Sequence, residues 1–110
     1  MMHNVNELNI MSKKHTKLFY LTVLGLQRSK RDNLNAMRLQ MTWKIGVMHS
    51  MRLFEELVLA GLVQSYDDKS RELMTIPKVF RDKVDQFIVT DEIKSKFGIT
   101  DQMIEAVLIK

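Results

Sequence analysis

Between Val47 and Pro77 the chain reads VMHSMRLFEELVLAGLVQSYDDKSRELMTIP, and the order of patterns in this stretch leaves few folds open. Val47 to about Ala60 has the spacing of an amphipathic helix, with Val47, Met51, Phe54, Leu57 and Val58 on its inward stripe. Lys44, His49, Arg52, Glu55 and Glu56 fall outward. Gly61 follows where the helix stops, because glycine takes the positive φ of a C′ residue without strain. Leu62 to Tyr66 and Leu73 to Ile76 are short β-prone runs. Between them Asp67 to Glu72 is all turn or charge, so a hairpin is expected. Pro77 closes the second run, since it cannot donate to a ladder.

Two helices are expected before this stretch. Lys14 to Arg28 carries Leu18, Leu21, Leu24 and Gly25 at helical spacing, with Phe19, Val23 and Leu26 widening the stripe. A stripe so wide predicts burial on two sides, in a core and in a partner. Residues 28–33 are a polar connection. Asn33 is a good N-cap for a second helix, LNAMRLQMTW, with Leu34, Met37 and Met41 on one face. Lys44-Ile45-Gly46 makes the turn, with Gly46 expected to supply a positive φ. The methionines are expected mostly on inward stripes as core filler, with a Met-rich protein-binding face as the other reading.

After Pro77, Val79 to Val89 resumes helical spacing through Val79, Phe80, Val84, Phe87 and Ile88. Thr90 can cap a short helix, DEIKSKF, stopped by Gly98, and Thr100 can cap a last one, DQMIEAVLIK. This pair has helix-turn-helix spacing, but its second helix carries Asp101 and Glu105 and no base before Lys110. It reads as a packing or dimer-forming pair. The domain reading is a leader over 1–11, a main domain over 12–89 and a C-terminal helical pair over 90–110. The alternative for the first segment is a real N-terminal arm.

Charge is distributed unevenly. The 110 residues carry a formal net charge of +4, yet residues 12–52 hold nine Lys or Arg against one acid, Asp32. Residues 53–110 hold eight basic residues against eleven acidic. Such a division favours a polyanionic partner for the basic half. With 45% hydrophobic and 27% charged residues the composition is that of an ordinary globular domain. Cysteine is absent, which excludes disulfides, thiolate metal sites and a cysteine nucleophile. No apolar run approaches the roughly 18 residues of a membrane span, and no signal peptide is evident, so the expected location is the cytoplasm.

Residues 33–77 resemble a winged helix-turn-helix of the bacterial or phage regulator type, with a flavour of the MarR family. The matching residues are Phe54, Leu57, Gly61, Leu62 and Val63 in FEELVLAGLV, followed by DDKSREL as the wing. The resemblance implies a mainly α fold with a small β-hairpin. Val47 to Ala60 would be the recognition helix and 62–77 the wing, whose tip carries Lys69 and Arg71 to the DNA backbone or minor groove. A helix fits the major groove, where Lys44, His49, Ser50 and Arg52 would reach base edges. Arg28, Lys30, Arg31 and Arg38 would take phosphates. Glu55, Glu56, Asp67 and Asp68 oppose this reading, as phosphates would repel them.

Enzymatic chemistry finds no support in the sequence. His3, His15 and His49 have no metal-ligand spacing with carboxylates, and each reads as a surface or capping residue. There is no phosphate-cradling glycine loop and no nucleophile triad. Asp67-Asp68 reads as a solvated turn, and Trp43 as a core or hinge residue. No cofactor and no metal are expected. The function expected is that of a homodimeric, DNA-binding transcriptional regulator on double-stranded DNA, dimerising through the first helix, the C-terminal helices or both. The alternatives are a winged helix that docks on a host protein and a DNA replication or partition accessory.

Overall fold

Thr16 starts the first helix by accepting the Phe19 N–H on its hydroxyl at 3.2 Å. In the computed structural model, which describes residues 15–66 and 76–106, this helix, α1, spans Lys17–Ser29. Every residue from Phe19 to Leu26 is buried. A helix apolar around its whole circumference belongs in an interior, and α1 is the axis on which the rest packs. Its wide stripe therefore faces the chain's own core. It ends at Lys30, which adopts the left-handed conformation (φ 59°) and returns its N–H to the Leu26 carbonyl.

The second helix, α2, spans Ala36–Trp43, and its N-cap is Asn35, not Asn33. Asn33 and Leu34 are engaged elsewhere. Asn33 forms an antiparallel bridge with Lys78, and the Leu34 N–H donates to the Pro77 carbonyl at 2.9 Å. At the other end of α2 the Trp43 indole N–H donates to Thr22 Oγ1 at 3.0 Å, and the Thr22 hydroxyl donates to the Leu18 carbonyl at 2.7 Å. Thr22 is wholly buried, so this relay satisfies a polar group inside α1 while pinning α2 to it.

In the turn that follows, the positive φ falls on Lys44 (55°) and not on glycine. Gly46 has φ −73° and is the N-cap of α3, which spans Val47–Leu59. The inward face of α3 is made of Ser50, Leu53, Phe54 and Leu57. Val47 and Met51, expected on that face, are more than half exposed. Apolar residues flank both sides of the true stripe, so periodicity alone sets its phase poorly. Ser50 can enter the core because its hydroxyl donates to the Val47 carbonyl at 2.8 Å. Gly61 takes φ 79° as expected and turns the chain out of the helix.

The segment after Pro77 lies between two others. Asp32 and Asn33 pair with Lys78 and Val79 on one side, and Leu62 to Gln64 pair with Lys78 to Phe80 on the other. The Gln64 and Phe80 N–H groups donate to the Lys78 and Leu62 carbonyls at 2.8 and 2.9 Å. These are isolated antiparallel bridges, and no longer strand forms among the described residues. Among the described residues the pairing takes in Pro77, whose carbonyl accepts from Leu34, and continues through Phe80. Residues 73–75 of the expected second strand lie outside the described residues.

Because Val79 is used in a bridge, the next helix, α4, is only Arg81–Gln86, shorter than its periodicity predicts. Helices α5, Asp91–Phe97, and α6, Asp101–Ala106, start where Thr90 and Thr100 predict. Gly98, at φ 66°, ends α5. Ile99 and Ile104 enter the same core as Phe19 and Leu26, so the C-terminal pair packs on α1 as part of one body. The described residues are mainly helical, and no helix among them is long and apolar enough to cross a membrane.

Candidate functional site

The outer surface of the α2–turn–α3 unit carries most of the residues that the sequence singles out. Lys44, His49 and Arg52 are exposed, at the turn and in the first two turns of α3. None of the three makes an ion pair or side-chain hydrogen bond among the described residues. From Lys44 to Phe54 there is no carboxylate at all. Ser50 is a correction: it is fully buried, with its hydroxyl committed to the helix's own backbone, and it cannot reach a partner.

Glu55 and Glu56 separate. Glu55 stays exposed on the outer face. Glu56 turns to the flank, where its Oε2 lies 2.7 Å from His15 Nδ1. The His15 ring stacks on Phe19 at 3.8 Å and meets Tyr20 and Phe87 edge-on. Burial, and after it the Glu56 carboxylate, raise the Tyr20 phenol above its usual range. Sequence reading treated His15 as a surface or capping residue. No local signal marks a pair 41 residues apart.

The four expected phosphate-binding residues divide as well. Arg28 faces Asp101 and Glu105 of α6, each at 3.4 Å, and Lys30 lies 3.9 Å from Asp85. The acidic C-terminal half thus folds back onto part of the basic half, and charge separated along the chain is partly paired in space. Arg31 and Arg38 have no carboxylate partner among the described residues. They line a cavity of about 100 Å³ beside the start of α2. Lys69 and Arg71, the expected wing-tip bases, lie outside the described residues.

Methionine is the largest departure from expectation. Met37, Met41, Met48 and Met51 are all more than half exposed, on α2 and α3, and none belongs to the buried core. A wider depression of about 530 Å³ lies by Gly61, Phe80 and Arg81. The Arg81 guanidinium is directed away to the Leu26 and Arg31 carbonyls and to Asp85, so it does not serve that depression. No cluster of His, Asp or Glu suited to a metal ion occurs among the described residues. No known protein family, curated protein or solved structure matches this chain.

Proposed function

We propose that this chain is a winged helix-turn-helix protein that regulates transcription by reading double-stranded DNA with α3. The observation that carries the reading is the face formed by Lys44, His49 and Arg52. It is exposed, basic, free of carboxylates through the first half of the helix, and placed on a helix that follows a three-residue turn. The leading turns of such a helix are those that enter a major groove. The pairing of 62–64 with 78–80 supports a wing, because it brings together the two ends of the segment that holds Lys69 and Arg71. Glu56 no longer opposes the reading, since it faces His15. In this reading the DNA-bound species is a homodimer on a two-fold site, joined through α1, the C-terminal helices or both.

The test is an electrophoretic shift with the DNA upstream of the gene, repeated across a salt series. Binding should weaken with salt, and each lost phosphate contact should lower the log–log slope by about 0.9. A joint Lys44→Gln and Arg52→Gln variant that binds as tightly as the parent, with the same slope, sinks the assignment.

A second reading has its own observation. Met48, Met51 and Leu59 are exposed on α3, as Met37 and Met41 are on α2, and thioether side chains suit adaptable protein contacts. In that reading the same helices dock on a host protein. Its signature is a partner whose binding is insensitive to salt but lost in a joint Met48→Ser and Met51→Ser variant.

A further inference from the structure

Two arginines of the described fold pair with carboxylates. Arg28 faces two carboxylates, and Arg81 ties two backbone carbonyls to Asp85. Arg31 and Arg38 differ. Arg31 is held rigidly: its Nε–H donates to the Asn33 carbonyl at 3.0 Å and its Nη2 to Asn33 Oδ1 at 3.1 Å. Those bonds use part of its five N–H donors and fix the plane of the rest. The Arg38 backbone N–H is taken by Asn35 Oδ1, but its guanidinium has no partner among the described residues. Both guanidiniums border the same small cavity, whose remaining wall includes Met37, Met41 and Ile76.

Two neighbouring guanidiniums repel each other, and among the described residues neither has a counter-ion. Burial first, and then the charge of Arg38, pull Arg31 below the usual arginine range. Asp32, next in sequence, makes no ion pair with either among the described residues. Its carbonyl is bonded to the Val79 N–H instead. An anion bound between them would relieve the repulsion.

We propose that Arg31 and Arg38, with Asn33 and Asn35 beside them, form a seat for one phosphate group. Two planar forks with free donors suit a tetrahedral oxyanion better than a point charge does. The size is selective, because a cavity of about 100 Å³ is far below the several hundred Å³ of a nucleotide site. The phosphate is either a phosphodiester of nucleic acid or a free phosphate or phosphomonoester. The seat is defined by its own geometry and does not depend on α3 reading bases.

The test is titration of the full chain with inorganic phosphate, following the arginine Nε–Hε signals by NMR, against sodium chloride at matched ionic strength. A parallel arm measures binding of a random-sequence duplex. Arg38→Gln is the decisive variant, since the Arg38 side chain makes no hydrogen bond or ion pair among the described residues, and Arg28→Gln is the control. Saturable shifts at Arg31 and Arg38, weakened about tenfold or more in Arg38→Gln and unchanged in Arg28→Gln, establish a free-phosphate seat. No saturation by phosphate, but a duplex affinity lowered in Arg38→Gln, assigns the seat to a nucleic-acid phosphodiester. The proposal is overturned if Arg38→Gln matches the parent in both arms. Lys44 and Arg52 variants report separately on α3, so failure of that reading is distinguishable from failure of this one.

Discussion

His15 Nδ1 lies 2.7 Å from Glu56 Oε2, which joins the entrance of α1 to the flank of α3 across 41 residues of sequence. The contact is partly shielded, with both side chains about four-fifths buried and the imidazole stacked on Phe19. It accords with the rotation that buries Leu53, Phe54 and Leu57. Glu56→Ala should lower stability by about 1–2 kcal/mol, because it strands a largely buried imidazole. Urea unfolding measures this, and Glu55→Ala, on the open face, should change little.

Lys44 and the exposed face of α3 make opposed predictions. Lys44→Gly relieves a left-handed conformation at a non-glycine residue, which should raise stability by about 0.5–1 kcal/mol after the added chain entropy. The same change removes a cation from the proposed DNA surface, so the log–log salt slope should fall by about 0.9. A variant that is more stable yet binds less is the expected outcome. Equal loss of both properties would point to misfolding instead.

Orientation of α3 is tested by substitution on its two sides. Leu53→Ala should cost about 2–5 kcal/mol, since Leu53 is buried in the core. Met48→Ala and Met51→Ala should each stay within about 0.5 kcal/mol of the parent. Chemical denaturation of the three variants decides. A large loss at Met51 would return the stripe to the phase that periodicity predicts.

The raised Tyr20 phenol sets a direction for alkaline pH. Its neutral form is favoured in the fold, so the associated stability is full below about pH 10, the ordinary tyrosine value, and is lost as pH rises through the higher folded value. Unfolding free energy should therefore decline above about pH 10, with tyrosinate absorbance appearing late. Tyr20→Phe should flatten that part of the decline.

Removal of the Trp43 anchor gives a further test. Thr22→Val leaves the indole N–H without its acceptor and should cost about 1–3 kcal/mol. Thr22→Ser, which keeps the oxygen, should cost less. Thermal unfolding with tryptophan fluorescence reports both the stability and the surroundings of Trp43.

Local chemistry was legible in the sequence, and relations between distant segments were not. Gly61, Thr90, Thr100 and Gly98 act where they stand, because caps and stops depend on a few neighbouring backbone groups. Asn33 has the right chemistry for a cap but is drawn into a bridge with Lys78, so Asn35 takes the role. The rotation of α3 depends on Ser50 and on Glu56 meeting His15, and no period within the helix encodes either contact. Exposed methionines look like core residues to any pattern that scores hydropathy. The charge imbalance is plain in the sequence, yet Arg28 and Lys30 find acids more than 50 residues away. Which of the expected site residues lack an acid among the described residues, namely Lys44, His49, Arg52, Arg31 and Arg38, follows only from the fold.

The central position of α1 has a consequence for how the chain comes into being. Its apolar residues are made before many of those that cover them, which extend to Ile104. Arg81, which bonds the Leu26 carbonyl, and Val84 and Phe87, whose carbonyls accept the Gln27 amide, are synthesised more than 50 residues later. For several seconds of elongation, at roughly 5–20 residues per second, α1 lacks the cover that α4 to α6 give it, and its apolar side chains are open to non-native contacts.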